Sequence, residues 1–174
     1  MRKILLVIDM QNDFIDGSLG TKEAAGIVDK AVSVINAYPS RDIFATRDTH
    51  SENYLSTEEG EHLPVVHCIR GTAGWQLNPK VQAALRDAEI IDKPSFGSVE
   101  LAEKMKKLAE AGPIGITMIG LCTDICVISN ALLLKAYIPE TEISVIRTCC
   151  AGVTKESHEA ALTAMKMCQI NITG

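Results

Sequence analysis

Several things are missing from this chain of 174 residues. No apolar run approaches the roughly 20 residues that cross a bilayer as a helix, which argues against a membrane span. No cluster of lysine and arginine stands out and the formal net charge is −5, which argues against a nucleic-acid surface. The opening MRKILLVIDMQND turns polar at Asp9, too soon for a signal peptide. There is no internal repeat, low-complexity tract or linker. One domain spanning residues 1–174 is therefore expected, long enough to bury a sizeable core. Without export, the six cysteines are expected to be thiols in a reducing compartment, and the chain a cytoplasmic enzyme or binding protein.

What is present is a globular composition, 47% hydrophobic and 22% charged, arranged in alternating short apolar runs and helical patterns. KILLVID, RDIFATR, EIIDK, ITMIG and EISVIR read as strands, rich in Ile, Leu and Val, and QINIT as a short last one. Between them, Ile27, Ala31, Val34 and Tyr38 recur at helical spacing, and VQAALRDA reads as a short helix. Ser98 caps a helix carrying Leu101, Met105 and Leu108, and Thr154 caps one carrying Ala161, Leu162 and Met165. Thr123 to Tyr137 reads as a helix entered directly from a strand. This alternation predicts a three-layer α/β/α fold with a mainly parallel, Rossmann-like sheet of about six strands. In such folds ligands bind beyond the carboxyl ends of the strands, where Asp9, Asp48, Lys93, the turn Gly120–Cys126 and Thr148–Cys150 fall.

The segment from Asp48 to about Asn78 breaks the rhythm, and loops of that length are usually functional or disordered. This one holds the only tryptophan, Trp75, and three of the four histidines, His50, His62 and His67. It reads as an ordered, site-building loop. The GLCTDICV turn raises a separate question, because Cys122 and Cys126 admit four readings. They are a zinc half-site, a disulfide, buried filler, or a turn containing a nucleophile. Filler is the plain expectation for Cys68, Cys149, Cys150, Cys168 and the Cys122 thiol. Thr123 and Asp124 are good helix caps and place Cys126 in a first turn, where free N–H groups and the dipole favour a thiolate. Lys93 and Asp9 are the cation and carboxylate available to activate it. Filler remains open for Cys126 on this ground alone.

Three motifs in order, IDMQNDF (Ile8 to Phe14), the lysine after EIID, and GxxTDxCV (Gly120 to Val127), resemble the isochorismatase-like cysteine hydrolases over essentially the whole chain. RDTH (Arg47 to His50) followed by VHCIRGTAGW (Val66 to Trp75) resembles the nicotinamidase branch. The resemblance implies a triad of Asp9, Lys93 and Cys126 that releases ammonia from a small-molecule amide through a thioester. It also implies a cis peptide at Leu121-Cys122, an oxyanion hole from the N–H groups of Cys122 and Cys126, and a homo-oligomer.

Asp48-x-His50 with His67 offers one oxygen and two nitrogen ligands, a set that suits a divalent zinc, iron or manganese ion. In nicotinamidases such a metal holds the pyridine nitrogen. Glu59 is the expected fourth ligand, with Glu58, Glu61 and His62 as competitors, while Tyr54 occupies the position where some relatives carry a histidine. Phe14 and Leu121 are expected to contact substrate. The chain departs from the pattern at Pro64, where relatives often have a tryptophan wall. His158 carries no expected role beyond packing or surface. A hydrolase of another small amide or N-carbamoyl compound is the alternative, ahead of an isochorismatase-type hydrolase or a non-catalytic binding module.

Overall fold

The structure, a computed structural model, describes residues 1–174. Six strands form one sheet: β1 (Arg2–Ile8), β2 (Ile43–Asp48), β3 (Glu89–Lys93), β4 (Ile114–Leu121), β5 (Glu142–Ala151) and β6 (Asn171–Thr173). Their order is β3-β2-β1-β4-β5-β6, and every neighbouring pair is parallel. The expected sheet was mainly parallel; the observed one is wholly so. No helix is long and apolar enough to cross a membrane.

β1 explains the layering. Its residues Ile4 to Ile8 are all fully buried, so the strand is apolar on both faces rather than alternating. Ile4, Leu6 and Ile8 pack with α5 (Val99–Ala111), α6 (Ile128–Tyr137) and α7 (Lys155–Met167). Leu5 and Val7 face α2 (Lys22–Asn36) and α4 (Pro79–Leu85) on the other side. Two further helices are short, α1 (Asn12–Ile15) and α3 (Glu58–His62). The expected caps are in place: Ser98 Oγ accepts from Leu101 N–H, and Thr154 makes a reciprocal capping box with Ser157.

The chain winds outward from β1 to β3, then returns to place β4 on the other side of β1. That reversal opens a crevice at the carboxyl ends of β1 and β4. The two strands approach closely there. Gly120, at φ 126°, lies where a Cβ would collide with the Ile8 carbonyl, so only glycine fits.

Three expectations are corrected. Thr123 to Tyr137 is not one regular helix, because residues Thr123–Val127 form a π-type turn before α6, with Val127 N–H reaching back to Cys122 O. Thr123 and Asp124 do not cap it, because both are engaged elsewhere. Asp124 accepts from Val153 N–H at 3.1 Å, and Thr123 Oγ1 lies 2.8 Å from His158 Nδ1. His158 packs against the turn that carries Cys126, within the packing role expected of it. Cys168, expected as filler, is exposed, whereas Cys68, Cys149 and Cys150 are buried.

Candidate active site

Asp9 follows β1 directly in a left-handed conformation, φ 45°, which aspartate tolerates better than branched residues. Lys93 ends β3, and Cys126 sits in the π-type turn after β4. All three converge. Lys93 Nζ lies 2.7 Å from Asp9 Oδ2, with neither side chain exposed, and donates to Cys126 Sγ at 3.4 Å. Asp9 Oδ2 has no partner but this ammonium. Between opposite charges at that separation the attraction is set by distance. Asp9 Oδ1 accepts from Thr46 Oγ1 at 2.6 Å.

Electrostatics assign the resting protonation. Burial alone would lower the Lys93 pKa, but Asp9, Cys126 and Asp48 more than reverse this and hold the ammonium charged. Burial, followed by the Asp9 charge, pushes the Cys126 thiol well above its ordinary value despite Lys93. The same burial raises Asp9 against the pull of Lys93, with Asp48 adding to the rise. Burial thus favours the neutral thiol of Cys126 and makes Asp9 a stronger base than an exposed aspartate. The peptide Leu121-Cys122 is cis, as the resemblance implied. The Cys122 N–H donates to no backbone or side-chain acceptor in the protein.

The long loop carries the second half of the site. It is ordered by a bridge pairing His50 with Ile69 and by α3, which its sequence did not announce. One donor atom from each of Asp48, His50, Glu59 and His67 lies within 4.8 Å of every other. His50 Nε2 lies 2.8 Å from Asp48 Oδ2 and 3.6 Å from Glu59 Oε1, and this buried nitrogen has no hydrogen-bond partner. His67 Nδ1 lies 2.7 Å from Val65 O, so it carries the proton there and turns Nε2 toward the cluster. Burial raises Glu59. Burial works against His67 protonation, yet the Asp48 carboxylate 3.6 Å from Nε2 and the Val65 carbonyl on Nδ1 raise its pKa overall. Burial would also raise Asp48, but the two imidazoles and Lys93 hold it well below the carboxylate range. An orphaned imidazole nitrogen, a second one held in the ligating orientation and two carboxylates fit a divalent cation.

The competing ligands stand outside the donor set, Glu58 and His62 on the rim of the cavity that holds it. Glu58, Glu61 and His62 are exposed. Tyr54 is buried with its ring 4.7 Å from that of His50 and 4.9 Å from that of His67, and its hydroxyl donates to Leu63 O. Burial and Glu59 push the phenol up to about 12, so Tyr54 packs the histidines as a neutral wall.

One cavity of about 880 Å³ joins the two halves, lined by Cys126 and Cys122 on one side and by Asp48, His50, Glu59 and His67 on the other. Phe14 and Leu121 both line it, and the Phe14 ring lies 5.6 Å from that of His67. Trp75 does not line it. Its indole N–H donates to Thr49 Oγ1 and the Arg47 guanidinium covers its ring at 3.7 Å, so it staples the loop.

Three positioning residues escaped the sequence reading. Gln11 Oε1 accepts from Asp48 N–H at 2.7 Å, while Gln11 Nε2 donates to Asp48 O and Trp75 O. Thr46 holds Asp9, and Asn130 holds the backbone of Cys126. A polar residue inside an apolar run was the available signal for Thr46 and Asn130; Gln11 had none beyond its place in IDMQNDF.

A buried Asp–Lys–Cys cluster beside a metal-type donor set, at the switch point of a parallel sheet, defines a small α/β protein of hydrolase design. The isochorismatase domain matches residues 3–174, and the chain belongs to that family. An uncharacterized isochorismatase family protein, PncA, of Bacillus subtilis is 28% identical over 174 residues, covering 94% of this chain and 93% of its own. The nicotinamidase/pyrazinamidase of Mycobacterium tuberculosis is 23% identical over 190 residues, covering 98% and 97%. Among solved structures, the pyrazinamidase of Pyrococcus horikoshii in complex with zinc superimposes with a TM-score of 0.80, at 28% identity and 99% coverage of both chains.

Proposed function

We propose that this chain is a metal-containing cysteine amidohydrolase that converts nicotinamide and water to nicotinate and ammonia. The observation that carries the reading is the Lys93 ammonium set between Asp9 and Cys126, with the nucleophile opening into the same cavity as the donor set. Asp48, His50, Glu59 and His67 would hold a divalent ion, zinc by donor type with iron or manganese also suited, which supplies a Lewis acid for the substrate's pyridine nitrogen. Phe14 and Leu121 flank the ring.

The chemistry belongs to the protein's own groups. Asp9 takes the Cys126 proton, and Lys93 offsets the charge left on the pair. Cys126 Sγ attacks the amide carbon, and the carbonyl oxygen develops its charge toward the N–H groups of Cys122 and Cys126. Asp9 then returns the proton to nitrogen, ammonia leaves, and the thioester remains on Cys126. Asp9 deprotonates the water that hydrolyses it, restoring the thiol. This reading carries with it one catalytic domain over residues 1–174, a cytoplasmic location and a homo-oligomer.

A second reading is favoured by the cavity itself. Its volume of about 880 Å³ sits in the upper part of the range for drug-sized ligands, and its lining includes Leu19, Phe96, Ile125 and Val153. A larger amide or an N-carbamoyl compound would fill it better than nicotinamide. The test is kcat/KM for nicotinamide, with nicotinate identified as product, against a panel of ring-extended amides and N-carbamoyl amino acids. Preference for nicotinamide supports the first reading; preference for a panel member replaces it with the second.

A further inference from the structure

Asn130 is fully buried inside α6, at a place where asparagine contributes little to helix formation. Its side chain is almost completely used. Nδ2 donates to Cys126 O at 2.7 Å and to Phe96 O at 3.1 Å, while Oδ1 accepts from Ser98 N–H at 2.9 Å. The first partner is the backbone of the nucleophile. The other two belong to the connection from β3 to α5, whose residues Pro94, Ser95 and Phe96 line the cavity. Ser95 O also accepts from Lys93 Nζ at 2.9 Å.

Beyond these bonds, the connection is held by the Ser98 cap of α5 at its far end. Pro94, Ser95 and Phe96 are exposed, and Phe96 retains 44% of its surface. An exposed segment closing one side of a cavity keeps its position only through its polar anchors. Asn130 supplies two of these, and it places them at a fixed offset from Cys126.

We propose that Asn130 is a positioning residue that sets the Pro94–Ser98 segment against the nucleophile, and so fixes the width of the cavity mouth that selects the amide. Asn130→Thr separates the two contacts. A threonine hydroxyl reaches the carbonyl four residues back, here that of Cys126, but is too short to bridge to Phe96 and Ser98.

The test uses full-length, metal-loaded protein and two thiol reagents of different size, iodoacetamide and N-phenylmaleimide, with modification of Cys126 read by peptide mass spectrometry. Losing two hydrogen bonds is expected to speed N-phenylmaleimide addition by about tenfold, and iodoacetamide addition far less. KM for nicotinamide is expected to rise by more than kcat falls. Equal acceleration of both reagents would mean general loosening and overturn the proposal; so would no acceleration of either. If Asn130→Thr does not fold, Asn130→Ser serves instead, because its hydroxyl also reaches the Cys126 carbonyl and is too short for Phe96 and Ser98. The KM arm rests on the amidohydrolase reading, whereas the reagent arm does not. A wild type inert toward nicotinamide would therefore defeat the nicotinamide assignment and leave the reagent ratio to decide the role of Asn130.

Discussion

Lys93 Nζ stands 3.4 Å from Asp48 Oδ1, an ion pair almost closed to water that joins the Asp9–Lys93–Cys126 group to the metal-type cluster. The sheet makes this pairing, since Asp48 and Lys93 are register partners at the ends of β2 and β3. One ammonium therefore balances two carboxylates, Asp9 and Asp48, and faces the thiol as well. Lys93→Met removes that cation and strands a buried carboxylate. A loss of about 3–5 kcal/mol in urea unfolding is expected, with part regained when Asp9→Asn is added. A single variant as stable as the wild type would show that the pair is not buried as described.

The pH profile follows from the direction of the Asp9 shift. A general base works only when deprotonated, and burial raises Asp9 above its ordinary 3.8. The acidic limb of kcat/KM is expected to lie above that value, with activity lost as pH falls through it. Because the Cys126 thiol is raised as well, no thiolate accumulates at neutral pH without the base. Cys126 alkylation followed against pH checks both points; a thiolate plateau at pH 7 would contradict them.

Metal content tests the donor set. One divalent ion per chain is expected by elemental analysis, lost in Asp48→Ala and in His67→Ala. Glu59→Gln keeps the other three ligands, and weaker binding with retained stoichiometry is expected under chelator competition. An unchanged affinity would remove Glu59 from the set.

Gln11 holds Asp48 by both its N–H and its C=O. Losing a partner of the ligating group itself typically costs about 10–100-fold in metal affinity; Gln11 acts one step back, through the Asp48 main chain, and Gln11→Leu is expected to cost up to about tenfold. Affinity within error of the wild type would assign Gln11 to loop packing alone.

The sequence disclosed what depends on local periodicity and on strand ends. The buried run in β1, the caps at Ser98 and Thr154, and the positions of Asp9, Asp48 and Lys93 at strand termini were all readable. The π-type turn was not, because the cap-type residues Thr123 and Asp124 are taken by His158 and Val153, contacts across the fold. The helix α3 was hidden for a related reason. Its residues EEGEH have no apolar stripe, and it is held by the Thr57 cap and by Gly60, which packs against the Tyr54 carbonyl. Gln11, Thr46 and Asn130 act only through partners distant in sequence, so no local pattern could assign their contacts.

The measurement that bears most directly on the account is ammonia release from nicotinamide by the metal-loaded protein, beside Cys126→Ala. Turnover in the wild type, abolished in the variant while fold and metal content are retained, is the predicted result. Equal ammonia release by both proteins would contradict Cys126 as the nucleophile.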